Sequence, residues 1–94
     1  MSEWITGPPG AQFDLHGQSV LEAVKNTERF LQAQARARPG AVVRLITGRG
    51  SSGGGAPIRT RVRTLLRRRK EEGRLVRAYG LEDGEGSFLV RLAG

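Results

Sequence analysis

Two side chains of this chain have the types and spacing of a proton-transfer pair: Asp14 and His16, in Phe13-Asp14-Leu15-His16-Gly17. His16 is the single histidine in the sequence. Two residues apart on a strand, they share a face with Cα atoms roughly 7 Å apart. A carboxylate in that position could orient the imidazole and stabilise its charged form. His16 could then act as general base on a ribose 2′-OH, or deliver a proton to a leaving oxygen. The structural alternative is that His16 is a strand-end residue hydrogen-bonded to backbone and that Asp14 caps the adjacent turn.

A second constellation follows in Ile46-Thr47-Gly48-Arg49-Gly50, which opens a glycine-rich loop running to Gly55. Gly48 to Gly53 reads as a literal G-x-G-x-x-G between a strand and a helix. A dinucleotide site does not follow: the chain is too short for a doubly wound sheet, and no acidic strand end lies at the required distance. No Lys-Ser/Thr follows, so it is not a Walker A loop either. What remains is general physics. Small residues let a phosphate approach the backbone, and the helix beyond offers free N–H groups. Gly17, Thr47, Gly48, Arg49 and Gly50 are therefore phosphate-contact candidates. Arg59 and Arg63, one turn apart on the next helix, join them as bidentate donors. The run Arg67–Lys70 reads as a solvated helix end, paired in part with Glu71 and Glu72.

These residues need elements to position them. Gln12 to His16 reads as a short strand, with Phe13 and Leu15 facing one way and Asp14 and His16 the other. Ser19 and Glu22 form a capping box, and Val20, Val24, Thr27, Phe30, Leu31 and Ala35 recur at helical spacing, with Leu21 and Ala23 widening the stripe. That helix should stop near Arg36–Arg38, before Pro39-Gly40. Ala41 to Thr47 is nearly continuous in apolar residues and reads as a central strand. Pro57 suits the first turn of a second helix, whose buried stripe is Ile58, Val62, Leu65 and Leu66. Leu75–Tyr79 and Ser87–Leu92 form a hairpin around Asp83-Gly84-Glu85-Gly86. The order βαβαββ, with only two helices, favours an α/β two-layer sandwich: a four-stranded mixed sheet with both helices on one face. Residues 1–10 read as a flexible N-terminal arm, with Trp4 and Ile5 expected to fold back, and residues 11–94 as one domain.

The net charge of +7 is unevenly placed. Residues 1–40 hold four basic and four acidic groups, whereas residues 41–94 hold twelve basic and five acidic ones. Such asymmetry points to a polyanionic partner on one face. The chain has no cysteine, which excludes disulfides and thiolate zinc sites and fits a cytoplasmic location. Neither a signal peptide nor a membrane span is expected.

Asp14-Leu15-His16-Gly17 before a helix, Thr47-Gly48-Arg49-Gly50 after the second strand, Ile58-Arg59 opening the next helix and a closing strand after Gly86 together resemble the Smr (small MutS-related) domain over about residues 12–92. The resemblance implies a fold like the C-terminal domain of bacterial translation initiation factor 3. It also implies nucleic-acid binding and, in several members, endonuclease activity: RNA cleavage or DNA nicking. Asp14 and His16 would then be the catalytic pair. The expected partner is RNA or branched or structured DNA, with the ribosome as a further candidate and a monomer as the expected state. No cofactor is required by RNA cleavage through the 2′-OH; a divalent metal ion is the candidate for DNA nicking. Many members have histidine where this chain has Thr47, so a non-catalytic binding module is the alternative reading.

Overall fold

The protein is seen in a computed structural model that describes residues 10–48, 55–82, 84 and 86–94. The expectations for Trp4, Ile5, Arg49, Gly50, Asp83 and Glu85 lie outside the described residues. The elements are β1 (Ala11–Asp14), α1 (Val20–Ala37), β2 (Val42–Ile46), α2 (Gly55–Glu71), β3 (Val76–Leu81) and β4 (Ser87–Leu92). They build one four-stranded sheet in the order β1-β2-β4-β3. β1 pairs parallel to β2, while β4 runs antiparallel to both β2 and β3. β3 therefore runs in the same direction as β1 and β2. Both helices leave the rim where β1 and β2 end, here called the upper rim, and return to the opposite one. The β3–β4 turn also lies on the upper rim, because Ile46 pairs with Ser87 and Leu81 with Phe88.

Both helices cover one face of the sheet. Leu15, Ala23 and Leu31 join Ile58, Val62 and Leu66, and Val43, Leu45, Val76, Phe88, Val90 and Leu92 complete a single buried cluster. Phe13 meets Phe30 edge-on at 5.2 Å between ring centroids. The alternation that sends these side chains inward sends Gln12, Asp14, Arg44, Ile46, Ser87 and Arg91 to the other face.

α1 starts where its sequence dictates. Ser19 Oγ accepts from the Glu22 N–H and Glu22 Oε1 accepts from the Ser19 N–H, both at 3.1 Å. These bonds hold the Glu22 carboxyl below its ordinary range. Its buried line is Ala23, Thr27 and Leu31, flanked by Val20, Phe30 and Ala35. Leu21, expected to widen that stripe, is 65% exposed, because it lies about 100° around the helix from Val20. Thr27 is fully buried and its hydroxyl has no hydrogen-bond partner.

Several boundaries differ from the sequence reading: β1 spans Ala11–Asp14 rather than Gln12–His16, so His16 lies beyond the strand, β2 is trimmed to Val42–Ile46, and α2 already begins at Gly55. Gly10, placed in the arm, belongs to the domain: its N–H donates to Val42 O, and its carbonyl accepts from Arg38. β3 begins one residue later than expected and passes through Gly80 to Leu81, since pairing with Leu89 and Phe88 overrides the glycine's low strand propensity. Ala93 N–H then bonds Leu75 O beyond the ladder.

Candidate functional site

The Asp-Leu-His-Gly segment is a compact local device at the end of β1. Gln18 N–H donates to Leu15 O, closing a turn with His16 and Gly17 at its corners. Gly17 has φ +85°, the left-handed value that a glycine at the third position of a type II turn supplies. Leu15, fully buried, plugs the turn into the core, and its N–H bonds Ile46 O across to β2. His16 stands exposed at the corner. The Asp14 carboxylate accepts from the backbone N–H of His16 at 2.9 Å. The hydrogen bond found for Asp14 thus sets the turn that presents His16, which is the structural alternative named for this residue. Gln18 is tied in turn by Asn26 of α1 at 2.9 Å.

The second strand end is anchored differently. Thr47 and Gly48 both donate their N–H groups to Gly86 O, at 2.9 and 3.0 Å. Thr47 is fully buried, and its hydroxyl lies against the carbonyls of Gly48 and Gly86. As a phosphate candidate, Thr47 is therefore corrected: its side chain faces inward and fixes the base of the loop. Gly48 has φ +84°, so the chain leaves β2, like β1, through a left-handed glycine. Asp14 pairs with Ile46 in the parallel ladder, and this places the His16 corner and the start of the glycine loop side by side.

α2 rises from that loop. Its buried stripe turns Arg59 and Arg63 to one side and Arg61 to the other, the side of α1. Arg59 is half-exposed. Arg63 is exposed, and its guanidinium stands 5.9 Å from the centroid of the Phe88 ring, a cation–π contact on the β4 side. α2 has no acidic residue in its first turn. With two parallel helices starting at one rim, the positive ends of both backbones point the same way.

The pairing of Arg69 with Glu72 follows the expectation for the Arg67–Lys70 run, whereas its bond to Glu28 and the Arg44–Glu82 contact were not anticipated from the sequence. Arg69 belongs neither to solvent nor to a ligand. It grips Glu28 of α1 at 2.9 Å and Glu72 at 2.8 Å. Its position was legible, since it stands four residues after Leu65 and seven after Val62, on the buried stripe. Arg44 makes two hydrogen bonds to Glu82, at 2.8 and 3.1 Å, across β4 on the open face. Glu82 also accepts from the Ser87 hydroxyl. These bonds, Arg44's first, hold the Glu82 carboxyl below its ordinary range although burial pushes the other way. Glu82, at the end of β3, is thereby fastened to β2 at the upper rim. Among the described residues, no three His, Asp or Glu side chains converge as a metal site would require. Among them, no helix is long and apolar enough to cross a membrane.

Comparison with known proteins agrees with this architecture. The sequence model of the Smr domain matches residues 13–93. The structure is similar to the crystal structure of the Smr domain of Thermus thermophilus MutS2, with a TM-score of 0.70 and 30% sequence identity, covering 89% of this chain and 99% of that one. No curated protein matches the chain.

Proposed function

Because this chain belongs to the Smr domain family, a family of nucleic-acid-binding and nuclease-related domains, we propose that its upper rim holds a backbone phosphate of RNA or structured DNA and that His16 moves the proton when the phosphodiester is cut. The observation that carries this reading is the parallel pairing of Asp14 with Ile46. It brings the only histidine beside a glycine loop, at the rim where both helices begin. In an open α/β sheet, ligands bind in the crevice outside the carboxyl ends of the strands.

In this proposal each group has one task. His16, at an exposed corner, takes the proton from an attacking ribose 2′-OH or gives one to the leaving oxygen. Asp14 acts as a positioning residue, through the turn rather than through the ring. Gly17 and Gly48 keep the two strand ends slim enough for a phosphate to approach. Arg59 and Arg63 supply positive charge beside it. With a single histidine, the second proton passes through water or the substrate itself, so turnover is slow. Cleavage through the 2′-OH asks nothing of a metal, and this favours RNA.

A second reading, a binding module without catalysis, is favoured by the engagement of the Asp14 carboxylate with backbone and by the burial of the Thr47 hydroxyl. Incubating RNA and branched DNA with the protein, with and without EDTA, separates the two. The catalytic reading expects cleavage by the wild type, lowered about a hundredfold or more in His16→Ala with binding retained. Equal cutting by both proteins would show that His16 is not the site. Binding without cutting by the wild type would establish the second reading.

A further inference from the structure

Where the first turns of α1 and α2 run side by side, they leave a groove of about 560 Å³ lined by Val20, Pro57, Thr60 and Arg61. It is a shallow depression, open to solvent along its length. The groove belongs to the upper rim: Val20 opens α1 just beyond the His16 turn, and Pro57 lies in the first turn of α2 just beyond the glycine loop. Among the described residues its walls are a valine side chain and a proline ring, and its polar groups one hydroxyl and one guanidinium. Leu21, next to Val20, is left 65% exposed at the same end of α1. Among the described residues, neither the phosphate candidates nor the proton-transfer pair line it.

We propose that this groove receives an unpaired base of a single-stranded nucleic acid whose phosphate lies at the His16–Gly48 rim. The proposal rests on the nucleic-acid reading above and narrows it to single-stranded or locally opened substrates. The chemistry of the lining selects the occupant. A base is flat and largely apolar on its faces, which suits Val20 and Pro57. Its edge carries donors and acceptors that the Thr60 hydroxyl can meet. Arg61 offers a guanidinium plane on which a base can stack, a role that arginine shares with aromatic side chains in single-strand recognition. The occupant must also be tethered to negative charge, because Arg61 stands in the groove wall, on a helix with no acidic residue in its first turn. An apolar peptide would cover Arg61 without supplying a counter-charge, at a desolvation cost. A base joined to phosphate meets both requirements. A base within a duplex must first leave its stack at a cost of a few kcal/mol, so unpaired strands are preferred.

The experiment compares affinity for a short oligouridylate RNA with affinity for an RNA strand of equal length made of abasic sites. Both carry the same phosphates, so their ratio isolates the base. The wild type is expected to favour the intact strand at least about fivefold, the lower end of what one held base contributes. Thr60→Gln lengthens an exposed side chain into the groove, and Val20→Ser removes an apolar wall. Each should bring the ratio close to one while leaving affinity for the abasic strand unchanged. A ratio of one in the wild type, or an unchanged ratio in both variants, would overturn the proposal and leave phosphate binding intact. If the wild type binds neither strand, the nucleic-acid reading itself fails, and this proposal with it.

Discussion

α1 and α2 run side by side in the same direction, yet they meet the upper rim with opposite chemistry. α1 closes its own N-terminus: Ser19 and Glu22 satisfy each other's backbone groups and place a carboxylate on the positive end of the helix. α2 has no acidic residue in its first turn and carries arginines along its exposed faces. The interval from Val20 to Glu28 equals that from Arg61 to Arg69. Midway along α1 and near the end of α2 the helices are locked by the Glu28–Arg69 ion pair; at their upper end, Val20 and Arg61 flank an open groove. The same residue type on one helix therefore does two jobs. Arg69, on the buried stripe, holds the fold, while Arg59, Arg61 and Arg63 lie toward the upper rim, where the proposed function puts the phosphate.

That contrast can be broken by exchanging the two effects. Arg59→Glu should weaken nucleic-acid binding about tenfold and flatten its salt dependence, whereas Arg68→Glu, far from the rim, should weaken it no more than about twofold; binding titrations across a range of salt check this. Equal effects would put the ligand on the lower half of α2. Arg69→Ala should do the reverse, costing about 1–2 kcal/mol in denaturant unfolding because it leaves the part-buried Glu28 without its partner, while affinity stays the same. A smaller effect of opposite sign is expected in the core of α1. Thr27→Val removes a buried hydroxyl that has no hydrogen-bond partner and should raise stability by about 1 kcal/mol, or several degrees in Tm. The smallest effect is in pH. Glu82 and Glu22 are both held below the ordinary carboxylate value of 4.5 in the folded protein. Their contribution is fully present above that value and is lost as pH falls through the lower folded-state values. Stability should therefore decline below about pH 5, and Glu82→Gln should shallow that decline.

Much of this arrangement was written in local sequence. The Ser19–Glu22 box, the apolar run of β2 and the glycines after each strand state their conformations within a few residues. The order of the elements then leaves few ways to cover one sheet with two helices. Leu21 and Thr47 misled because type alone does not give direction. A leucine about 100° off the stripe faces water, and a threonine at a strand end on the inward side is buried. The Arg44–Glu82 contact joins residues 38 apart, one on β2 and one just beyond β3, with β4 between them, and no local pattern announces such a pair. The Asp14–His16 spacing was legible, but it fits a side-chain contact and a turn equally well. The backbone hydrogen bond of the turn is what the structure shows.

The most direct test of the central claim is to map where a nucleic acid touches the domain. Backbone amide signals can be followed by NMR as a short single-stranded RNA is added. The two ends of the molecule are both basic, since Lys70 and Arg77 line a second hollow with Gly73, Val76, Ala93 and Gly94 at the lower rim. The account predicts the largest shifts at His16, Gly17, Gly48, Arg59 and Arg61. Shifts concentrated at Lys70, Gly73 and Arg77, with the upper rim unmoved, would contradict it.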